Sequence, residues 1–185
     1  MRPLTLRIFK GMGGKFGAIN MRLEPGYGVC KTCEARVYGN WCVNSTRDKP
    51  HDTQLTEKLG CIFLEMASPK GKNDYDWENK INFKLSLADI GKILHYLETG
   101  VGNSNEQKTC SLVHDPGAGT ANKGKITKTL SVSTVDLRTK GAFFDLSEKS
   151  GDNRKQHKVP LTADEVKILA VLLRASISQV LGWGS

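Results

Sequence analysis

The sequence predicts an α+β fold made of two successive units, each consisting of four strands followed by a helix. Three observations carry that expectation. A helical stretch occurs twice: Leu87-Ala88-Asp89-Ile90-Gly91-Lys92-Ile93-Leu94 and Thr162-Ala163-Asp164-Glu165-Val166-Lys167-Ile168-Leu169 share Ala, Asp, Lys, Ile and Leu, with Ala88 matching Ala163 and Leu94 matching Leu169 at an offset of 75. Each copy follows a run of segments in which apolar and polar residues alternate, the period at which a strand turns one face to a core. Turn residues separate those segments. Chance could supply five identities among ordinary helix formers, but not the matching strand runs ahead of both copies.

In the first unit the alternating segments are residues 3–10, 15–23, 60–68 and 79–85. Leu4, Leu6 and Ile8 alternate with Thr5, Arg7 and Phe9, and Ile19, Met21 and Leu23 alternate with Ala18, Asn20 and Arg22. The basic residues Arg2, Arg7, Lys10, Lys15 and Arg22 precede the first acid, Glu24, as in an organellar transit peptide. Period two argues for strands instead, because a transit peptide is amphipathic at helical spacing. The first helix is capped at Ser86, with Asp89 placed for a capping box, runs through Ile90, Ile93, Leu94 and Leu97, and stops near Gly100.

The second unit has segments 109–114, 125–135, 141–147 and 156–160, with 101–108 as a polar link and 148–155 as a charged hairpin tip. Its helix begins at Thr162, has Glu165 three residues on, and ends before Gly182. The apolar residues Val166, Leu169, Val171, Leu172, Leu173, Ile177, Val180 and Leu181 wrap more than one face, so a homo-oligomer is expected, with Ile177, Val180 and Leu181 forming the additional apolar face; burial between the two halves of the chain is the alternative. Residues 24–59 are strand-poor and contain cysteines, and read as an insertion. The whole is expected to be one domain, 1–185, with halves of about 1–100 and 101–185.

The chain has 185 residues, 27 Lys plus Arg against 19 Asp plus Glu, and a net charge of +8. That balance suits a polyanionic partner and also a merely basic protein. No apolar run reaches the ~20 residues of a membrane-spanning helix. No secretory pattern is read, so the expected location is intracellular, cytoplasmic or nucleoid-associated with an organellar interior also open, and the five cysteines are expected to be reduced.

Four constellations invite chemistry. Gly119-Thr120-Ala121-Asn122-Lys123-Gly124-Lys125 has the Gly-x-x-x-x-Gly-Lys spacing that cradles phosphate, but Ile126 replaces the magnesium-binding hydroxyl and a strand follows instead of a helix. Cys110, His114 and Asp115 resemble a thiol nucleophile with its base, yet four residues of extended chain hold Cys110 and His114 about 13 Å apart. No catalytic set remains, so the protein is expected not to be an enzyme. Cys30-Lys31-Thr32-Cys33 with Cys42 and His51, or Cys61 as the alternative fourth ligand, has donors for a structural zinc; no cofactor is otherwise required. The alternative is unligated thiols.

Cations and aromatics interleave on or beside the strands: Arg7, Phe9 and Lys10; Lys15 and Phe16; Tyr75, Trp77 and Lys80; Lys84; Lys125 and Lys128. Unpaired nucleic acid needs that combination, since phosphates seek cations and every base has a flat face. Aromatics in the core beneath a solvated basic face would give the same composition.

The ordered motifs Tyr75-Asp76-Trp77 with Lys80 and Phe83-Lys84-Leu85-Ser86-Leu87, then Cys110 with His114-Asp115-Pro116, Gly124-Lys125 with Lys128, Leu130 and Val132, Phe143-Phe144 with Leu146-Ser147, Pro160 with Thr162 and Glu165, and Leu181-Gly182-Trp183, resemble the Whirly family of single-stranded DNA-binding proteins. The family's Lys-Gly-Lys-Ala-Ala-Leu strand is interrupted here, as Lys10-Gly11, then Met12-Gly13-Gly14, then Lys15-Phe16-Gly17-Ala18-Ile19. The resemblance implies a Whirly-type tandem ββββα repeat assembled as a tetramer, and a kinship with the transcriptional coactivator that dimerises through its helix to bind single strands. It implies binding of single-stranded DNA with little sequence specificity in replication, recombination, repair or transcription. On this reading Lys10, Lys15, Lys80 and Lys128 meet phosphates, and bases rest on Phe9, Phe16, Trp77 and Met66, the last falling where the family has an aromatic. Single-stranded RNA, or a protein partner docked by the cysteine insertion of a transcription cofactor, are the alternatives.

Overall fold

The eight period-two segments form two four-stranded antiparallel sheets. The structure, a computed structural model, describes residues 5–10, 16–37, 44, 46, 59–72, 74–100, 109–136 and 141–181. In chain order the elements are β1 Thr5–Phe9, β2 Ala18–Glu24, β3 Gly28–Val29, β4 Arg36–Val37, β5 Cys61–Ala67, β6 Pro69–Gly71, β7 Asp74–Tyr75, β8 Ile81–Leu85, α1 Leu87–Thr99, β9 Thr109–His114, β10 Ile126–Asp136, β11 Gly141–Ser150, β12 Asn153–Leu161 and α2 Ala163–Val180. The first sheet runs β1-β2-β5-β8 and the second β12-β11-β10-β9, with β3-β4 and β6-β7 as small ribbons.

The period of two decides which residues make the core. On the first sheet the cross-strand rows Ile19, Met66, Ile81 and Met21, Leu64, Phe83 all turn inward. On the second, Leu130, Leu146 and Val132, Phe144, Val159 do the same. These rows, with Ile90, Ile93 and Leu97 of α1 and Val166, Leu169 and Leu173 of α2, form one continuous cluster shared by both halves. Burying a Leu, Ile, Val or Phe side chain contributes about 1.5–3 kcal/mol, so this shared core dominates what holds the halves together.

The helices repeat at an offset different from the sequence identities. The caps are Ser86 and Thr162, and the inward residues Ile90, Ile93 and Leu97 of α1 match Val166, Leu169 and Leu173 of α2, all at an offset of 76. The 75-residue identity places Asp89 against Asp164, whereas the structural partner of Asp89 is Glu165, each accepting the backbone N–H of its cap residue. Burial selects the register, because a one-residue shift turns a helix by about 100° and exposes the apolar stripe.

Polar bonds lock the ends together. Glu165 accepts from Lys10 of the first half at 2.5 and 2.7 Å. The carbonyls of Gln179 and Val180, in the last turn of α2, accept from the N–H groups of Gly26 and Gly60 at 2.8 Å each. Arg174 of α2 pairs with Glu98 of α1. Buried Asp89 takes Ser86 Oγ at 2.6 Å and His114 Nε2 at 3.2 Å, tying the cap of α1 to β9.

Three expectations need correction. Within 148–155 the hairpin tip is narrower than expected, only the turn at Gly151-Asp152: β11 and β12 stay paired up to it, with Glu148 opposite Lys155, because ladder bonds join backbones and do not require apolar side chains. The insertion contains the β3-β4 ribbon, whose turn carries Cys30 and Cys33. On α2, Val180 is fully buried and Ile177 packs against the core, while Leu181 is partly covered. The large apolar residues that α2 exposes are Ile168 and Val171, 54% and 63% accessible, three residues apart on another face. The predicted link 101–108 lies outside the described residues.

Candidate nucleic-acid interface

The outer face of the first sheet holds the candidate site, built from the residues that alternate with the core. Its rows read Phe9, Ala18, Ala67, then Arg7, Asn20, Glu65, Asn82, then Thr5, Arg22, Phe63, Lys84. At the first row the strands are nearly bare. A Cβ on Gly17 would lie 2.1 Å from the Ala67 carbonyl oxygen, so only glycine lets the chain approach there. On this low floor the ribbon β6-β7 and the following turn lay Tyr75 and Trp77 against Ala18 and Ala67. Phe9 and Tyr75 have ring centroids 5.5 Å apart, and Tyr75 and Trp77 6.4 Å, making an aromatic ledge. Phe9 is 52% exposed, whereas Tyr75 is buried between its neighbours.

Beside the ledge an open groove of about 260 Å³ is lined by Arg7, Phe9, Asn20, Glu65, Trp77 and Lys80. Glu65 accepts from Lys80 through Oε1 and from Asn20 through Oε2, both at 2.7 Å, and Arg7 Nε donates to Asn20 Oδ1 at 3.4 Å. Burial alone raises the pKa of Glu65, but the bonds from Lys80 and Asn20 outweigh it and hold the carboxyl below its ordinary value, so it is ionised at neutral pH. Next to the groove, Arg22 lies over the Phe63 ring at 5.4 Å, and Lys84 is exposed with no ion pair among the described residues.

The structure brings together Arg7, Phe9, Tyr75, Trp77, Lys80 and Lys84 of the expected residues. Others it separates. Met66 is fully buried in the core row with Ile19 and Ile81, since in β5 the even positions Ile62, Leu64 and Met66 turn inward; a base on the surface cannot rest on it. Lys10 is bound to Glu165, so a phosphate reaching it would have to displace that carboxylate. Lys128 shares the parity of Leu130 and Val132 and is drawn under the sheet, to Glu148 at 2.9 Å and the Asn82 carbonyl at 2.9 Å. Lys125 is exposed in a turn and donates to Asn122 at 2.9 Å, away from the groove residues. Phe16 is half-buried just before β2, and Lys15 lies outside the described residues. Asn20, Arg22, Phe63 and Glu65 do not stand out as cation-aromatic runs in the sequence; the alternation that selects the core residues also selects them, as the opposite parity of the same strands.

The phosphate-loop pattern has an internal explanation. Asp115 Oδ1 accepts from the N–H of Gly117 and Oδ2 from that of Gly124, both at 2.8 Å, so the loop wraps its own carboxylate. Cys110 is buried, and burial raises its pKa and that of Cys61, which keeps both thiols protonated. His114 stacks on Phe83 with centroids 4.3 Å apart. Of the expected zinc ligands, Cys42 and His51 lie outside the described residues. Among the described residues no three His, Cys, Asp or Glu side chains are grouped to hold a metal, so Cys61, on β5, does not join Cys30 and Cys33.

Two antiparallel four-stranded sheets, each followed by a capped helix and fused through one core, define a tandem ββββα protein, here with aromatics and cations on an open sheet face. The chain belongs to the Whirly family: the family described as Whirly transcription factor matches residues 43–172. It is 29% identical over 126 residues to the single-stranded DNA-binding protein WHY1, chloroplastic, of Solanum tuberosum, covering 67% of this chain and 43% of that one. It is 26% identical over 129 residues to the single-stranded DNA-binding protein WHY2, mitochondrial, of Arabidopsis thaliana, covering 69% and 50%. The chain thus spans about half the length of these relatives or less. The crystal structure of WHY1 from Arabidopsis thaliana superposes with a TM-score of 0.73 at 22% identity, over 99% of this chain and 88% of that one. The structure of the plant transcriptional regulator PBF-2 gives 0.67 at 21%, over 99% and 85%. Both share the fold. No helix among the described residues is long and apolar enough to cross a membrane.

Proposed function

We propose that the protein binds single-stranded DNA across the outer face of its first sheet, by stacking and charge, and serves processes that expose unpaired DNA, transcription among them. The observation that carries this is the aromatic ledge of Phe9, Tyr75 and Trp77 bordering a groove that also holds Arg7 and Lys80, with Lys84 nearby. Bases stack on such rings for about 1–3 kcal/mol each, and the cations neutralise the backbone. The names of the relatives agree. The role is non-enzymatic on this reading, because the thiols, histidines and loop that suggested chemistry are engaged in packing and turns. Assembly is as a homo-oligomer, a tetramer, with exposed Ile168 and Val171 as the apolar contribution of α2. A location with organellar or nucleoid DNA fits the chloroplastic and mitochondrial relatives. A structural zinc in the insertion, held by Cys30, Cys33, Cys42 and His51, remains part of the proposal.

Competition against a labelled single strand is the test. Unlabelled single-stranded DNA should displace it, and duplex of equal length should do so poorly, because paired bases are not free to stack; equal competition by duplex overturns the reading. Preferential displacement by matched RNA would assign the same face to RNA.

A further inference from the structure

The groove contains more than stacking and charge require. A surface that only neutralises phosphate does not need a carboxylate at its centre, yet Glu65 lies on its floor, ionised, with its side chain 14% accessible. Its hydrogen bonds leave a specific pattern. Among the described residues Oε2 takes one bond, from Asn20, and Oε1 one, from Lys80, so each oxygen keeps capacity for another. The Lys80 ammonium has three donors and spends one on Glu65. Going from Asn20 to Lys80, the groove therefore presents acceptor, acceptor, donor.

Resting on the single-strand reading above, we propose that this groove is a base-reading subsite selective for guanine, with Glu65 as the residue that sets the preference. An unpaired guanine offers its N2 amino group, N1–H and O6 side by side: donor, donor, acceptor. The N2 and N1 hydrogens meet Glu65 Oε2 and Oε1, and O6 meets Lys80. Thymine puts acceptors on both sides of its single N–H, and so turns a carbonyl toward the carboxylate. Adenine and cytosine each have one amino group followed by a ring acceptor, which repels the second oxygen. Guanine alone carries two adjacent donors on that edge, the edge that single-strand readers use when the base is unpaired. Trp77 and Phe9, on the same groove, supply the stacking surface for the inserted ring. The rest of the strand is held without regard to sequence, so the preference is confined to one position per site.

The experiment measures anisotropy of labelled twelve-nucleotide strands on the full chain at one salt concentration: all-dT, a dT-dT-dG repeat, and the same repeat with hypoxanthine, which lacks the N2 amino group, in place of guanine. Isolated guanines avoid quadruplex formation. The guanine repeat should bind about tenfold tighter than all-dT, within what one two-bond base contact gives. Hypoxanthine should lose most of that gain in the unaltered protein, and Glu65→Gln, which replaces one acceptor by a donor, should bring the ratio of guanine repeat to all-dT near one. Equal binding of all-dT and the guanine repeat, full retention of the gain by hypoxanthine, or an unchanged ratio in Glu65→Gln overturns the guanine subsite while leaving single-strand binding in place. Failure of all three strands to bind overturns the single-strand reading and this inference with it.

Discussion

The outer faces of the two sheets share a strand topology and differ in everything that meets solvent. On the first, glycine and alanine lower the floor, three aromatic rings form a ledge, and charges of both signs surround a groove. On the second, half of the residues in the corresponding rows carry hydroxyls: Thr109 and Ser133 beside Phe143 and Pro160, Ser111 and Ser131 beside Asp145 and Lys158, Thr129 and Ser147 beside Val113 and Gln156. Its one ring, Phe143, has the Lys158 ammonium 4.5 Å from its centroid, and Asp145 accepts from Gln156 at 2.7 and 2.8 Å. The inward parity of each strand is fixed by the shared core, where a lost methylene costs stability. The outward parity carries no such constraint, so repetition of the fold did not keep the two surfaces alike.

The sharpest way to break this contrast is to remove one ring from each face. Trp77→Ala should weaken single-strand binding by about 1–3 kcal/mol, with the salt dependence little altered. Phe143→Ala should cost clearly less, since its face is already covered by Lys158. Titration calorimetry of both variants at one salt concentration compares them, and a larger loss from Phe143→Ala would transfer the interface to the second sheet.

All eight long strands and both helix starts were legible because alternation and capping residues are local. So was part of the candidate site: Arg7, Phe9, Trp77, Lys80 and Lys84 are visible as cations and rings near strands. What failed was parity and partnership. Met66 enters the site through the family resemblance and Lys128 through its charge and position beside a strand, although Leu64 and Leu130, two positions away, place both on the core side. The partners of Lys10 and of Lys80 lie 155 and 15 residues away, and no local pattern shows that a lysine is already neutralised. The offset of 75 misled for a related reason, since identical letters can be one residue out of phase with burial.

Partnership predicts different fates for lysines that look equal in sequence. Lys10 serves the fold: Glu165→Ala, which removes its partner and the acceptor for the Thr162 N–H, should lower stability by about 1–2 kcal/mol in urea unfolding. Burial raises the pKa of Glu165, but the bonds from Lys10 and Thr162 prevail and hold it below its ordinary value. Its contribution is therefore complete above the ordinary glutamate range near pH ~4.3 and is lost as pH falls through the lower folded value. An acid limb unchanged in Glu165→Ala would assign the loss to other carboxylates.

Lys84 and Lys80 divide more finely. A phosphate reaching Lys80 competes with Glu65, whereas Lys84 has no such competitor among the described residues. Lys84→Ala should flatten the slope of log affinity against log salt by up to about 0.7, the single-strand value per phosphate, and Lys80→Ala by less. Equal slopes would mean that the Glu65 bond opens freely when DNA arrives.

The smallest expected effect concerns a residue that joins the two faces. His157 belongs to the core side of β12, opposite Leu146, and its Nε2 is buried with no hydrogen-bond partner among the described residues. Burial and then Lys155 push its pKa below the ordinary value, while the Asn79 backbone and Asp76, in the turn that carries Trp77, pull against them. Below pH ~6.5 the unfolded chain takes up a proton that the folded chain resists, so stability should decline as pH falls from there through the depressed folded value. His157→Leu, close in volume and unable to titrate, should flatten the decline in urea midpoints measured between pH 7 and 5. Should Trp77 fluorescence follow the same pH window in the unaltered protein and not in His157→Leu, the second sheet's core would be setting the position of the first sheet's ledge; an identical decline in both proteins would separate the two.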